Sequence, residues 1–168
     1  MMTICPVCHH PNFAGEDTCA ECGADLTAVD LPQDAIDFHG RLLGEHLDQL
    51  GAAPPLTVPT TMALDEAIRL MHSGPVDCLL VVADDRLVGI FTDRDAVVRT
   101  VGLRLSSFLV RDYMTRDPVV LRHDETIAVA INKMAIGGFR HIPIVEDGHP
   151  IGVVAAPDIF QHILNIIG

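Results

Sequence analysis

Four cysteines fall before residue 23, as Cys5-x-x-Cys8 and, after ten intervening residues, Cys19-x-x-Cys22. Two such pairs in a segment too short to bury a core imply a tetrahedral thiolate site, most often for Zn²⁺, whose binding energy folds the segment. Four Cys ligands leave no coordination position free for catalysis, so a structural or protein-docking segment is expected. Iron takes the same four thiolates, and spacing alone leaves it open. Disulfides would need an oxidising compartment, and a dithiol redox pair would expect a βαβ context that is missing here. Gly23 after the second pair permits the tight turn that aims backbone N–H groups at sulfur. His9 and His10 read as solvated side chains rather than substitute ligands, and the lone Cys78 as a small buried hydrophobe.

A second chemistry is written at Thr92-Asp93-Arg94-Asp95, where a Thr followed three residues later by an acid marks a helix N-terminus. The plain reading is a capping box. The sharper one adds that helix N-termini attract anions, that the Thr92 hydroxyl suits a phosphate, and that the Asp95 carboxylate suits ribose hydroxyls. Taken alone, the segment favours the cap.

Both readings depend on what delivers that helix. Leu79 to Val82 and Leu87 to Phe91 are short apolar, β-branched runs around Asp84-Asp85, which makes a hairpin feeding the helix at Thr92. The pattern recurs. Gly152 to Asp158 follows Gly89 to Asp95 at an offset of 63 (152 minus 89), and the same offset pairs Asp84 with Asp147, Met71 with Met134, Ile68 with Ile131 and Pro55 with Pro118. A gapless repeat of this length predicts two similar modules whose apolar sheet faces bury each other. The first has a strand at Leu56–Val58, a helix at Leu64–His72, the hairpin, and a helix from Asp95 to Val101, after which Gly102 to Asp112 bridges to the second. The second has a strand at Val119–Leu121, a helix at Thr126–Ala135, hairpin strands Ile142–Val145 and Ile151–Ala155 around Asp147-Gly148, and a largely apolar closing helix from Pro157 that suits packing on a second copy. Before the first module, Thr27–Gln33 reads as a linker and Asp34–Leu50 as a helix with His39 and His46 on one side.

The bulk properties bound the function. Twenty-three acids oppose eleven bases, a formal net charge of −12 that disfavours non-specific contact with nucleic acid or anionic lipid. The first thirty residues contain no Lys or Arg at all, so the Cys-rich segment lacks the cations that phosphate recognition needs. Apolar runs stop short of a membrane span, and Met1 to Cys8 has neither a basic nor an apolar leader region, so a cytoplasmic protein is expected.

The GIFTDRD segment ending at Asp95, the MTRDPVVL run from Met114 to Leu121 and FRHIPIV from Phe139 to Val145 together resemble tandem CBS domains, the paired modules of adenosine-nucleotide sensors. The Cys-rich segment resembles a short zinc ribbon, with His9 where such ribbons commonly carry Gly. The expected fold is α+β, a CBS pair of two β-α-β-β-α modules in pseudo-twofold packing behind a small ribbon. The expected divisions are ribbon 1–26, linker and helix 27–51, first CBS domain 52–105 and second CBS domain 106–168. The resemblance also implies that the segment before the first module packs on the pair.

In that family each of two clefts takes the Thr-x-x-Asp of one module with the first strand and hairpin start of the other. Carried over, one cleft combines Ile90, Thr92 and Asp95 with Val119, Arg140 and His141. There Thr92 with the helix N-terminus, Arg140 and His141 would meet phosphate, Asp95 the ribose, and Ile90 and Val119 the adenine. Its mirror combines Ala155 and Asp158 with Leu56, Thr57 and Asp77, placing a methyl and a carboxylate where the first cleft has a hydroxyl and a guanidinium. That cleft is expected to be weak or empty, with Asp158 acting only as a helix-start residue. The resemblance implies a non-enzymatic, homodimeric regulator that binds AMP, ADP, ATP, S-adenosylmethionine or an NAD-type molecule and signals to a protein partner. A nucleic-acid regulator acting through the ribbon, and a small redox protein with iron in the Cys₄ site, are the competing readings.

Overall fold

The computed structural model of the protein describes residues 2–5, 7–13, 16–24, 26, 44–74 and 77–167. The chain divides between residues 43 and 44 into two units. In the first, β1 (Met2–Ile4) pairs antiparallel with β2 (Pro11–Phe13), beside a small buried cluster of Cys5, Cys19 and Leu26. Each Cys pair ends in the same turn: the His9 N–H donates to the Cys5 carbonyl and the Gly23 N–H to the Cys19 carbonyl, both at 2.9 Å. Both turn residues have positive φ, His9 at φ 59 and Gly23 at φ 71. His9 therefore bears a left-handed strain that glycine avoids.

The second unit is built on the repeat. Its elements are β3 (Thr57–Pro59), α1 (Leu64–Ser73), β4 (Cys78–Ala83), β5 (Arg86–Thr92), α2 (Asp93–Arg99), α3 (Val110–Tyr113), β6 (Thr115–Arg116), α4 (Ile127–Gly137), β7 (His141–Glu146), β8 (His149–Ala155) and α5 (Ala156–Ile167). Strands β3-β4-β5-β6 form one sheet and β7-β8 another. The cross-strand pairs of the first hairpin reappear in the second at the repeat offset: Cys78 faces Thr92 as His141 faces Ala155, and a bulge follows Val81 as another follows Ile144. Both hairpins close through two consecutive positive-φ residues, Asp84-Asp85 and Asp147-Gly148, the geometry whose twist matches antiparallel strands. No helix among the described residues is long and apolar enough to cross a membrane.

Three expectations are corrected. The strand Val119–Leu121 reduces to a single parallel bridge from Leu121 to Ile144. In the first module the Leu80 N–H donates to the Leu56 carbonyl at 2.9 Å, but the counterpart of Leu80 is Pro143, which has no N–H to offer Val119. The helix expected over Asp34–Leu50 lies outside the described residues as far as 43, with the linker and His39, and Leu47–Leu50 is a 3₁₀ turn. Its neighbours bond to the second module instead of to a helix: the Leu47 N–H donates to the Glu125 carbonyl at 3.1 Å and the Ile127 N–H to the Glu45 carbonyl at 2.9 Å. The helix after β5 begins at Asp93 and ends at Arg99, and the expected bridge from Gly102 to Asp112 contains the start of α3.

The bonds of Glu45 and Leu47 make residues 44–53 a strap that continues the repeat backwards. The Val110 N–H donates to the Met62 carbonyl and the Leu64 N–H to the Phe108 carbonyl, the same two bonds displaced by the repeat offset. Residues 44–53 thus lie on the second module as residues 107–116 lie on the first, with Leu47 and Val110 each fully buried. The core of the first module gathers Val58, Leu64, Leu79, Val81 and Phe91 around Val110. Between the hairpins, Cys78, Leu80 and Ile90 pack on Val153, and the Leu87 N–H reaches the Gly148 carbonyl at 2.9 Å. Because Leu47 is such a core residue, Leu47→Ala is expected to lower the unfolding free energy by about 2–5 kcal/mol in urea denaturation. A change below about 0.5 kcal/mol, the range of an ordinary surface substitution, would show that the strap is not part of the core.

Candidate functional site

The hairpin contact sets the end of β5 beside the start of β7, and a cleft of about 520 Å³ opens there. Ile90, Thr92 and Asp95 line it from the first module, with Val119, Arg140 and His141 from the second. The volume is in the range of small-molecule sites. Thr92 is extended at φ −118°, which stops β5 and starts α2, and its hydroxyl accepts from the Asp95 N–H at 3.4 Å. The Asp95 carboxylate in turn accepts from the Thr92 N–H at 3.1 Å and from its hydroxyl at 2.9 Å.

The capping box is therefore real, and it changes what α2 can offer a phosphate. Its first amides are occupied: Asp93 N–H donates to the Asp77 carbonyl at 3.0 Å and Arg94 N–H to the Asp93 carboxylate at 2.7 Å, while Asp95 N–H is held by Thr92. The expected contribution of free helix N–H groups gives way to side-chain cations.

The cleft balances three carboxylates, Asp93, Asp95 and Asp117, against the guanidiniums of Arg94, Arg99 and Arg140. Arg99 bonds to Asp95 at 3.4 Å and to the Tyr113 carbonyl at 2.9 Å, Arg94 reaches the Gly138 carbonyl at 3.5 Å, and Arg140 meets Asp93 at 3.3 Å. Burial holds the His141 imidazole below its ordinary pKa, against the opposing pull of the Asp93 and Asp77 carboxylates. His141 is thus neutral near pH 7 and offers a ligand a hydrogen-bonding group rather than a standing charge.

Arg99, Asp117 and Phe139 line the cleft without having been singled out from sequence. Arg99 was legible as the residue four after Asp95 on one helix face. Phe139 was not, since its ring lies over Gly137, where a side chain would collide with it.

The mirror residues show the other side of the repeat. The Asp158 carboxylate accepts the Ala155 N–H at 3.0 Å, the counterpart of the Asp95 bond without the hydroxyl. Leu56 and Thr57 flank the β3 pairing with Leu80, and the Asp77 side chain is exposed. Arg94, Arg99 and Arg140 correspond through the repeat to Pro157, His162 and Asp77, so none of the three guanidiniums has a counterpart. Cys78, the counterpart of His141, is buried, and its thiol is pushed up to about 12 by burial and then by Asp77 and Asp93, so it is inert.

In the first unit the sulfurs of Cys5, Cys8, Cys19 and Cys22 lie within 4.8 Å of one another, with Cys5 and Cys22 at 3.7 Å and Cys8 and Cys19 at 3.6 Å. Thiolates about 2.3 Å from a tetrahedral ion stand about 3.8 Å apart, so the donor set fits a metal ion and not a disulfide. The backbone N–H of Cys22 and further donors bring the Cys19 thiol down to about 6 despite its burial. Asn12, only 3% exposed, is held behind that sulfur: its amide donates to Cys19 Sγ at 3.6 Å and to the His10 carbonyl at 2.9 Å, and accepts the Ala20 N–H at 3.0 Å.

The CBS domain family model matches residues 49–100 and 110–165, and the chain belongs to that family. The CBS domain-containing protein CBSCBSPB5 of Arabidopsis thaliana is 36% identical over 137 residues, covering 79% of this chain and 24% of the relative. The chain therefore spans about a quarter of the length of the curated relatives it matches in this way. Among solved structures, CBSX2 in complex with AMP aligns with a TM-score of 0.64 at 24% identity, covering 74% of this chain and 100% of that one. The CBS domain pair of protein MJ0100, in complex with 5-methylthioadenosine and S-adenosyl-L-methionine, aligns with a TM-score of 0.64 at 22% identity over 72% of this chain and 97% of that one. These two likenesses establish the fold, a tandem CBS pair of mixed α+β class.

Outer partners of metal ligands typically contribute tenfold to a hundredfold to affinity. Asn12→Ala is accordingly expected to weaken the affinity of the Cys cluster for an added metal ion, with Zn²⁺ as the probe, by that factor in competition with a chromogenic chelator, and unchanged affinity would remove Asn12 from the surroundings of the cluster.

Proposed function

We propose that this chain is a non-enzymatic regulatory module that binds one adenosine nucleotide, AMP, ADP or ATP, in the Thr92 cleft and passes the bound state to a protein partner. The observation that carries the reading is the convergence, from both modules, of a hydroxyl, a carboxylate, a guanidinium and an imidazole on one cleft with apolar flanks at Ile90 and Val119. Arg140 would meet the phosphate through charge-assisted bonds with His141 donating beside it, and Thr92 would join them once its hydroxyl turns from the Asp95 carboxylate. Asp95 would accept from the ribose. The AMP complex of CBSX2, a protein of the same fold, supports the choice of ligand class. The twin cleft, with Asp77 and Ala155, repels an anionic ligand and stays empty of it. The ribbon is proposed to hold zinc and to serve as a structural or docking element. A homodimer through the CBS unit is proposed on the exposed Phe160 and Leu164 of α5.

At about 0.3 kcal/mol for each of roughly two dozen heavy atoms, AMP would bind with about 7 kcal/mol, a Kd on the order of 10 μM. Thermal melting against AMP, ADP, ATP, S-adenosylmethionine and NAD tests the reading, since a bound ligand raises Tm and an indifferent protein does not respond. Arg140→Ala is expected to cost about 1.5–3 kcal/mol of AMP binding by calorimetry, and equal affinity in the variant would contradict the assignment.

The depressed pKa of His141 fixes the sign of a pH effect. The imidazole is neutral in the free protein near pH 7 and gains its proton only as pH falls below the ordinary imidazole range, where the cation attracts phosphate. The ratio of wild-type to His141→Gln affinity for AMP should therefore rise as pH falls from 7 through and below the ordinary imidazole range. Taking the ratio removes the part of the phosphate's own titration, pKa about 6, that is common to both proteins. A ratio independent of pH would remove His141 from the phosphate's surroundings.

A further inference from the structure

Each arginine of the cleft is engaged, but not in the same way. Arg99 is anchored by Asp95 and by the Tyr113 carbonyl, and Arg94 leans on the Gly138 carbonyl. Arg140 is held by Asp93, through Nη2 to Oδ2 at 3.3 Å. The same carboxylate is fixed at its other oxygen by the Arg94 N–H at 2.7 Å, and it is the strongest of the carboxylate influences on His141, ahead of Asp77 and Asp158. Asp93 therefore touches Arg140 and acts electrostatically on His141, the two groups that would receive a phosphate. The pair belongs to this cleft alone, since the repeat counterparts of Asp93 and Arg140 are Ala156 and Asp77.

From this geometry, and resting on the nucleotide reading above, we infer that Asp93 is a specificity-determining residue: a built-in counter-ion of Arg140 that a ligand's phosphate must displace. A neutral adenosine needs no displacement. AMP must break the Arg140–Asp93 contact and then sit beside the freed carboxylate. Each further phosphate charge meets the same repulsion. Asp93 thus holds down affinity for phosphate-bearing ligands and leaves affinity for the nucleoside untouched, which narrows the discrimination between ligands that differ in phosphate number.

Calorimetry of adenosine, AMP and ATP against the full chain tests this with the wild type, Asp93→Asn, Arg140→Ala and the double variant. Asparagine keeps an acceptor for the Arg94 N–H, so α2 retains its start. Removing an exposed pair and a like charge a few ångströms from the phosphate should tighten AMP by about tenfold, ATP by at least as much, and adenosine not at all. On the Arg140→Ala background the gain should shrink, because no guanidinium is left to release. Unchanged or weaker AMP binding in Asp93→Asn would overturn the inference while sparing the nucleotide reading, and so would an equal gain for adenosine. A wild type that binds none of the three ligands would overturn the nucleotide reading and the inference with it.

Discussion

The cleft exists because the first hairpin cannot bury its inner face alone. Cys78, Leu80 and Ile90 are apolar and buried, and the surface that covers them is supplied by Val153 of the second hairpin. That burial is non-directional and would tolerate several arrangements. Hydrogen bonds choose one, the Leu87 N–H to the Gly148 carbonyl and His149 Nδ1 with the Asp85 carbonyl, both at 2.9 Å. Once the hairpins are locked face to face, Thr92 at the end of one strand and His141 at the start of another become neighbours across a gap. Packing that is purely structural thereby defines a binding geometry.

The same packing makes two related positions, and chemistry divides them. The hairpin bulges and the strap bonds repeat between the modules, whereas side-chain charge does not. One end carries Arg94, Arg99 and Arg140 in balance with three carboxylates, and the corresponding positions at the other end carry Pro157, His162 and Asp77. In a chain of net charge −12, long-range attraction of an anion is unavailable, so local cations decide where a phosphate can rest. The engaged amides of α2 sharpen that point, since the helix end keeps its own donors satisfied.

Much of this was legible in the residues. The repeat offset placed both hairpins, both turns and the helices α1 and α4 to within a residue or two, because apolar periodicity and turn chemistry are local signals. The Cys₄ cluster was legible from spacing. The resemblance implied that a segment before the first module packs on the pair, but the form of the strap over residues 44–53 was not legible, because its equivalence with residues 107–116 lives in backbone bonds to Met62 and Glu125, while the two sequences share little beyond the buried Leu47 and Val110. The loss of the strand at Val119 was legible in principle, since Pro143 stands where the first module uses the Leu80 N–H. The neutrality of His141 and the capture of Arg140 by Asp93 depend on burial and distance, which no spacing rule encodes.

A crystal structure of the protein grown with AMP bears most directly on the central claim, that one end of the CBS pair is built for an adenylate and its twin is not. The account predicts an adenylate between Ile90 and Val119 with its phosphate on Arg140 and the Arg140–Asp93 contact broken. An adenylate bound instead beside Asp77 and Ala155, with that contact intact, would contradict it.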